Sequence, residues 1–316
     1  MATFDSDIIR LAMSSDQAVI EQLLTLRDYV RWTLSEMNRH QVYFGHGHVD
    51  AWDEALQLVF NAVDLPWDSS AELLDAKLLP SERERVIDFV QQRCQQRKPL
   101  PYITGEAWFM GLPFTVDERV LVPRSPIAQL IEQQFQPWLG DVDVERVLDL
   151  CTGSGCIGIA CAYAFDQAEV DLADLSDDAL AVANINVARH EMEERVRVVH
   201  SDLFNNLEGE VYDLIVTNPP YVDALDVASM PAEYQHEPEM ALGSGDDGLD
   251  ITRRILREAG RHLSEQGLLV VEVGNSEVHL MQAYPELPLI WVELDQGGNG
   301  VFVIDAPSLR AHQEFI

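Results

Sequence analysis

Basic residues are scarce in this chain. It has 21 Lys and Arg against 54 Asp and Glu in 316 residues, a formal net charge of −33. Proteins that grip naked DNA or RNA neutralise phosphates with Lys and Arg, so direct DNA binding is not expected. A basic protein partner would instead be attracted and steered, although a generic acidic surface explains the charge equally well when it is taken alone. Cysteine is also sparse. Cys94, Cys151, Cys156 and Cys161 form no C-x-x-C pair, which argues against zinc and against a disulfide framework. His46 and His48, with one glycine between them and no third candidate ligand nearby, read as a polar turn, so no metal is expected. No run reaches the roughly 20 apolar residues that span a bilayer. The N-terminus, with Asp5 and Asp7, lacks the basic region and apolar core of a signal peptide. There is no internal repeat and no low-complexity tract. The expectation is a cytoplasmic protein with no membrane contact.

What is present concentrates in two motifs. The apolar run Tyr212–Thr217 reads as a buried strand and leads directly into Asn218-Pro219-Pro220-Tyr221. The carboxyl end of such a strand is where open α/β sheets bind ligands. Neither proline has an N–H and each has a fixed φ, and Asn218 is pushed into an extended conformation by the proline after it. The turn therefore presents carbonyl oxygens in fixed directions, the Asn218 side-chain oxygen, and the aromatic plane of Tyr221. That set suits a planar –NH2 group, with two acceptors for its hydrogens and a ring for its face. Proline pairs alone would mark only an ordinary turn.

The second motif changes the weighing. Arg146–Leu150 reads as a buried parallel strand that runs through Cys151, Thr152, Gly153, Ser154 and Gly155 to Gly158, and a helix follows. Glycines there let the backbone approach a ligand, with a helix N-terminus behind them. A second strand, Glu169–Asp174, ends in a carboxylate about 20 residues on, the usual place of a ribose-binding acid. On its own this pattern fits a dinucleotide enzyme equally well. The later strands separate the two: residues 195–200, ending near Asp202 and Leu203, then 212–217, 267–273, 289–294 and 300–304. The last two are linked by Gly297-Gly298-Asn299-Gly300, a hairpin signal. Seven strands closing on an antiparallel pair resemble the Rossmann-like sheet of methyltransferases that use S-adenosylmethionine (SAM).

Together, Asp149-x-x-Thr152-Gly153-Ser154-Gly155, Asp174 and Asn218–Tyr221 resemble the protein-(glutamine-N5) methyltransferases, the HemK/PrmC/PrmB group. The resemblance extends over nearly the whole chain, through Pro101–Gly105, Trp108-Phe109, Val120–Arg124, Glu237-Pro238 and residues 243–249. Residues 43–47, 52–55 and 149–156 look most like the branch that methylates a glutamine in the third protein of the large ribosomal subunit. The branch acting on release factors usually carries Gly where this chain has Cys151.

The resemblance implies an α/β fold with an N-terminal helical domain and a connecting hairpin. Residues 1–98 would be a helical substrate-recognition domain, 99–125 a linker and β-hairpin, and 126–316 the SAM-dependent domain, a division consistent with ordinary domain sizes. The helices are visible independently. Leu23, Leu26, Val30, Leu34 and Met37 recur at helical spacing, as do Trp52, Ala55, Leu56, Val59, Phe60 and Val63, and such stripes are more often core than ligand site. Ser81 with Glu84 has the pattern of a capping box opening a third helix.

Chemistry, fold position and, for Asp202 and Leu203, the resemblance imply the roles. Asn218 and Pro219 would accept the two hydrogens of a glutamine amide, Pro220 would set the turn, and Tyr221 would stack on the amide plane. Asn218 would also face the cofactor. The backbone of Cys151, Thr152, Gly153, Ser154 and Gly155 would lie beneath SAM, with Asp174 on its ribose, Asp202 and Leu203 at its adenine, and Asp149 toward its amino group, directly or through water. S-adenosylhomocysteine would be the product. His236 and Glu237 read as loop supports more than as a base. The implied partner is a basic ribosomal protein, free or within a large-subunit assembly intermediate. Two alternatives stay open beside release-factor methylation: an N6-adenine nucleic-acid methyltransferase, which must also extract a base from its stack, and a non-catalytic ribosome-assembly factor.

Overall fold

In the computed structural model, which describes residues 16–47, 50–295 and 297–316, the helices of the first hundred residues start where side chains take up the free amides of a first turn. Thr25 opens Leu26–Arg39: its hydroxyl accepts from the Asp28 amide at 3.2 Å, and Asp28 returns the bond at 2.9 Å. Asp50 opens Ala51–Ala62 by accepting from Trp52 and Asp53. The third helix, Pro80–Cys94, begins earlier than the Ser81/Glu84 pattern predicts. Pro80, pre-set for a first helical position, starts it, and Glu82 reaches back to the Leu79 amide at 2.7 Å. The expected apolar stripes meet in one core, with Leu26, Val30, Met37, Ala55, Val59, Val86 and Val90 buried. Trp52 departs from its stripe and is half exposed. This unit also buries an ion pair, Glu54 with Arg93, whose guanidinium donates to the Tyr43 carbonyl at 2.8 Å. His46 is buried and His48 lies outside the described residues.

The chain divides into two compact units between Gly105 and Glu106. The second opens with an antiparallel hairpin of β1 (Glu106–Phe109) and β2 (Leu112–Thr115). Met110 and Gly111 both have positive φ, the requirement of a two-residue type I′ turn. Seven strands follow: β3 (Arg146–Leu150), β4 (Glu169–Asp174), β5 (Val196–His200), β6 (Tyr212–Thr217), β7 (Leu263–Glu272), β8 (Ile290–Trp291) and β9 (Val301–Asp305). They form one sheet in the order β5-β4-β3-β6-β7-β9-β8, parallel except for β9, which is antiparallel to both of its neighbours. The central strands are buried along nearly their whole length, as sheets covered on both faces are, and Leu148, Ile215, Leu269 and Phe302 share a core with the helices Asp250–His262 and Ala306–Ala311.

The chain steps outward from β3 to β4 and β5, then returns and steps the other way to β6 and β7. The switch point is therefore between β3 and β6, where a doubly wound sheet leaves its ligand crevice. Both motifs fall there. Strand β8 is shorter than the six residues predicted: Trp291 packs edge-on against Phe302, one more backbone bond joins Val292 to Val301, and the chain then leaves the sheet. No helix among the described residues is long and apolar enough to cross a membrane.

Candidate active site

The loop after β3 is folded around one carboxylate. Asp149, fully buried, accepts at a single oxygen from the Thr152 hydroxyl at 2.5 Å and from the Gly158 amide at 2.8 Å. Its other oxygen has no hydrogen-bond partner. Burial pushes this carboxyl up to about 7, against the pull of the Thr152 and Gly158 bonds. Gly158 lies close behind it, where a Cβ would overlap the Leu172 side chain and stand 3.0 Å from the Asp149 Cβ. At the end of β4, Asp174 holds the same loop from the other side, accepting from the Gly153 and Ser176 amides at 2.9 Å each. Burial raises this carboxyl too, opposed by those amides. Asn186, buried on the helix Asp177–Arg189, ties the loop to the hairpin by donating to the Ser154 and Thr115 carbonyls and accepting from the Thr115 amide at 2.7 Å.

The end of β6 meets this loop across the switch point, where the Thr217 hydroxyl donates to the Leu150 carbonyl at 2.7 Å. Beyond it, Asn218 and Pro220 line a cavity of about 1080 Å³, its open mouth included, shared with Cys151, Thr152, Gly153, Ser154, Asp174, Asp202 and Leu203. Pro219 and Tyr221 belong to the same turn, and Asp149 and Gly155 to the same loop, but they are not among the cavity's lining residues. Tyr221 directs its hydroxyl to Glu272 at the end of β7, 3.0 Å away. Asp202 accepts from Arg254 at 2.8 Å beside the cavity, and Cys151 has positive φ with its thiol pushed far up by burial.

Other lining residues, to which the sequence reading gave no place in the site, include Arg119–Ser125, Met240, Ala241, Ile251 and Arg254. Glu237, buried, receives both arms of Arg124 at 2.6 and 2.5 Å and the Val122 amide at 3.1 Å, so it holds the loop. His236 stands 3.2 Å from Glu118. A sequence signal for Glu272 did exist, a charged residue directly after the apolar run Leu268–Val271. None marked Asn186 or Arg254. No group of His, Cys, Asp and Glu among the described residues has the arrangement of a metal site.

Residues 129–234 match the family model described as the methyltransferase small domain, a span that runs from before β3 past the Asn-Pro-Pro-Tyr turn. Taken with the seven-stranded order and its antiparallel close, this makes the chain a methyltransferase of the Rossmann-like class. Two curated relatives narrow the class. The "Ribosomal protein uL3 glutamine methyltransferase" of Francisella tularensis is 50% identical over 96% of this chain and 97% of its own length. The protein of the same name from Xanthomonas campestris is 50% identical over 93% and 96%. The chain belongs to this family, the ribosomal protein uL3 glutamine methyltransferases. Among solved structures, the hMettl16 catalytic domain in complex with MAT2A 3′UTR hairpin 1 is similar with a TM-score of 0.49 at 17% identity, over 78% of this chain and 88% of that one.

Proposed function

We propose that this protein methylates the side-chain amide nitrogen of a glutamine in ribosomal protein uL3, using SAM. The observation that carries the reading is the shared cavity: Asn218 and Pro220 line the same space as the glycine loop and Asp174, at adjoining strand ends. The relatives' name supports the substrate.

The residues fit the cofactor. Cys151, Thr152, Gly153 and Ser154 line the cavity and would lie beneath SAM, with Asp174 at its ribose and Asp202 and Leu203 at its adenine. The unpartnered oxygen of buried Asp149 is an acceptor for the cofactor's ammonium, or for a water that carries it. When bound, SAM supplies a methyl already activated by its sulfonium.

The protein's part is to position a poor nucleophile, an amide nitrogen whose lone pair is drawn into its carbonyl. The Asn218 side-chain oxygen and the Pro219 carbonyl accept the two amide hydrogens, and the Tyr221 ring covers the amide plane. These bonds strengthen as positive charge develops on nitrogen, which favours the transition state over the ground state. Orientation of this kind contributes roughly 7–11 kcal/mol in favourable cases. The alkylated nitrogen is acidic enough to release its proton to water. Exposed Trp52 and Trp67 on the helical unit are of the type enriched at protein interfaces and support a substrate-docking role for that unit.

The test supplies methyl-labelled SAM with free uL3, large-subunit particles from cells lacking the enzyme, release factor and DNA in parallel. Label in uL3, liberated as methylamine by acid hydrolysis, is the expected outcome. Label in release factor changes the substrate, and label only in DNA overturns the reading. In the same assay Asn218→Ala should lower kcat by about 100-fold or more, with SAM binding changed less than about threefold. Equal loss of both would remove the division of labour between turn and loop.

A further inference from the structure

The Tyr221 side of the acceptor turn is held from outside the motif, by a short segment at the end of β7. Its hydroxyl meets Glu272 Oε1 at 3.0 Å. Its ring lies against Gly274, where a Cβ would come within 2.6 Å of the ring carbon Cε2. Its carbonyl accepts from the Ser276 hydroxyl at 2.8 Å, and a Cβ at Gly248 would overlap both of those oxygens. Hydroxyl, ring and carbonyl of one residue are thus pinned together.

Glu272 is the unusual member of this set. It is buried at the end of a strand whose preceding residues, from Leu268 to Val271, are apolar and buried. A carboxylate in that setting is costly unless its oxygens are satisfied. Both are: Ser125, which lines the cavity, donates to Oε2 at 2.6 Å. The Ile127 amide donates to the Ser125 oxygen at 3.2 Å, which leaves the serine hydrogen free for Glu272. The carboxylate therefore clamps the cavity wall at Ser125 to the methyl-acceptor turn at Tyr221.

We propose that Glu272 is a positioning residue for methyl transfer, fixing the Asn218–Tyr221 turn against the cavity wall through the hydroxyls of Tyr221 and Ser125. This rests on the proposed amide-holding role of that turn. Ionised, Glu272 accepts two charge-assisted bonds; protonated, it offers neutral ones of roughly half the strength. Burial pushes its carboxyl up to about 7, opposed by the Ser125 and Tyr221 bonds and by the charge of Arg124. The clamp therefore tightens as pH rises through neutrality.

The full-length enzyme is assayed with uL3 from pH 5.5 to 8.5. Glu272→Gln is expected to lower kcat about 10- to 100-fold, to leave the KM for uL3 and the Kd for SAM within about threefold, and to abolish an acid limb near pH 7. Adding Tyr221→Phe to Glu272→Gln should cost no more than either change alone, because residues acting as a unit are non-additive. An unchanged kcat, a retained acid limb, or simple additivity would overturn the proposal. Should Glu272→Gln fail to fold, Ser125→Ala serves: losing that bond should move the acid limb to higher pH, and an unmoved limb counts against the clamp. A readout without substrate separates this inference from the functional reading. With 13C-labelled tyrosine, the Tyr221 ring resonance of the wild type should shift with a midpoint near pH 7, and that of Glu272→Gln should not. If uL3 is not methylated yet the resonance titrates, the functional reading fails and the clamp stands; a resonance flat with pH in the wild type sinks the clamp itself.

Discussion

Gly153 and Gly158 lie in one loop but are glycines for different reasons. Gly153 has φ of +55° and open space where a Cβ would sit, so only its backbone conformation requires it. Ala there should cost about 1–2 kcal/mol from left-handed strain, and Asn, which tolerates that region, should recover much of it. Gly158 is ruled by the close approach of Leu172 and Asp149. Ala should cost about 1–3 kcal/mol through overpacking, and Ser should do no better; urea unfolding of the four variants separates the two cases. Asp149 carries a second residue-scale consequence. Between its ordinary 3.8 and about 7, the folded protein keeps a proton that the unfolded chain has released. Stability therefore falls as pH rises through that window. Asp149→Asn removes this proton, so its melting temperature should vary less between pH 5 and 7.5 than that of the wild type. A parallel pair of curves would show that Asp149 is already ionised at pH 5.

At the scale of elements, the helical unit concentrates its risk in one ion pair joining the helices Ala51–Ala62 and Pro80–Cys94. Breaking a buried pair leaves a charge without its counterion, at about 3–5 kcal/mol, whereas replacing both members is often neutral. Arg93→Met should destabilise the chain by that amount in urea unfolding, and Glu54→Leu/Arg93→Met should recover most of it, short of the lost bond to the Tyr43 carbonyl. Such pairings mark the limit of what was legible beforehand. The glycine loop, the Asn-Pro-Pro-Tyr turn and the strand sequence were readable because each is written in adjacent residues with distinctive backbone demands. The third helix's start was misread because Ser81/Glu84 imitates a cap that Pro80 and Glu82 supply in fact. Asn186 and Arg254 gave no local sign of their roles, and Glu272 showed only a charge after an apolar run, not its partner: Glu272 meets Tyr221 51 residues away, and Arg254 meets Asp202 52 residues away. These contacts exist only once β6, β7 and the helix after Leu249 are brought to one end of the sheet.

For the whole molecule the dominant fact is the charge of −33. A field of that sign repels polyanions and draws in a basic partner, raising association rates by roughly 10- to 1,000-fold where steering is strong. Salt removes the effect by shortening the screening length, from about 10 Å at 0.1 M to about 3 Å at 1 M. Under the proposed roles of Asn218, the glycine loop and Asp174, chemistry inside the cavity is shielded from that change because it would run over hydrogen-bond distances. Under the proposed reading, raising sodium chloride from about 0.05 to 0.5 M should therefore lower kcat/KM for uL3 by about tenfold or more, with kcat and SAM affinity nearly constant. Added naked RNA should not inhibit at low salt when uL3 is held in excess, since the enzyme's own field excludes it. A flat salt response would show that the acidic surface has no part in capturing substrate, and inhibition by RNA under those conditions would place a basic binding groove on a protein whose composition argues against one.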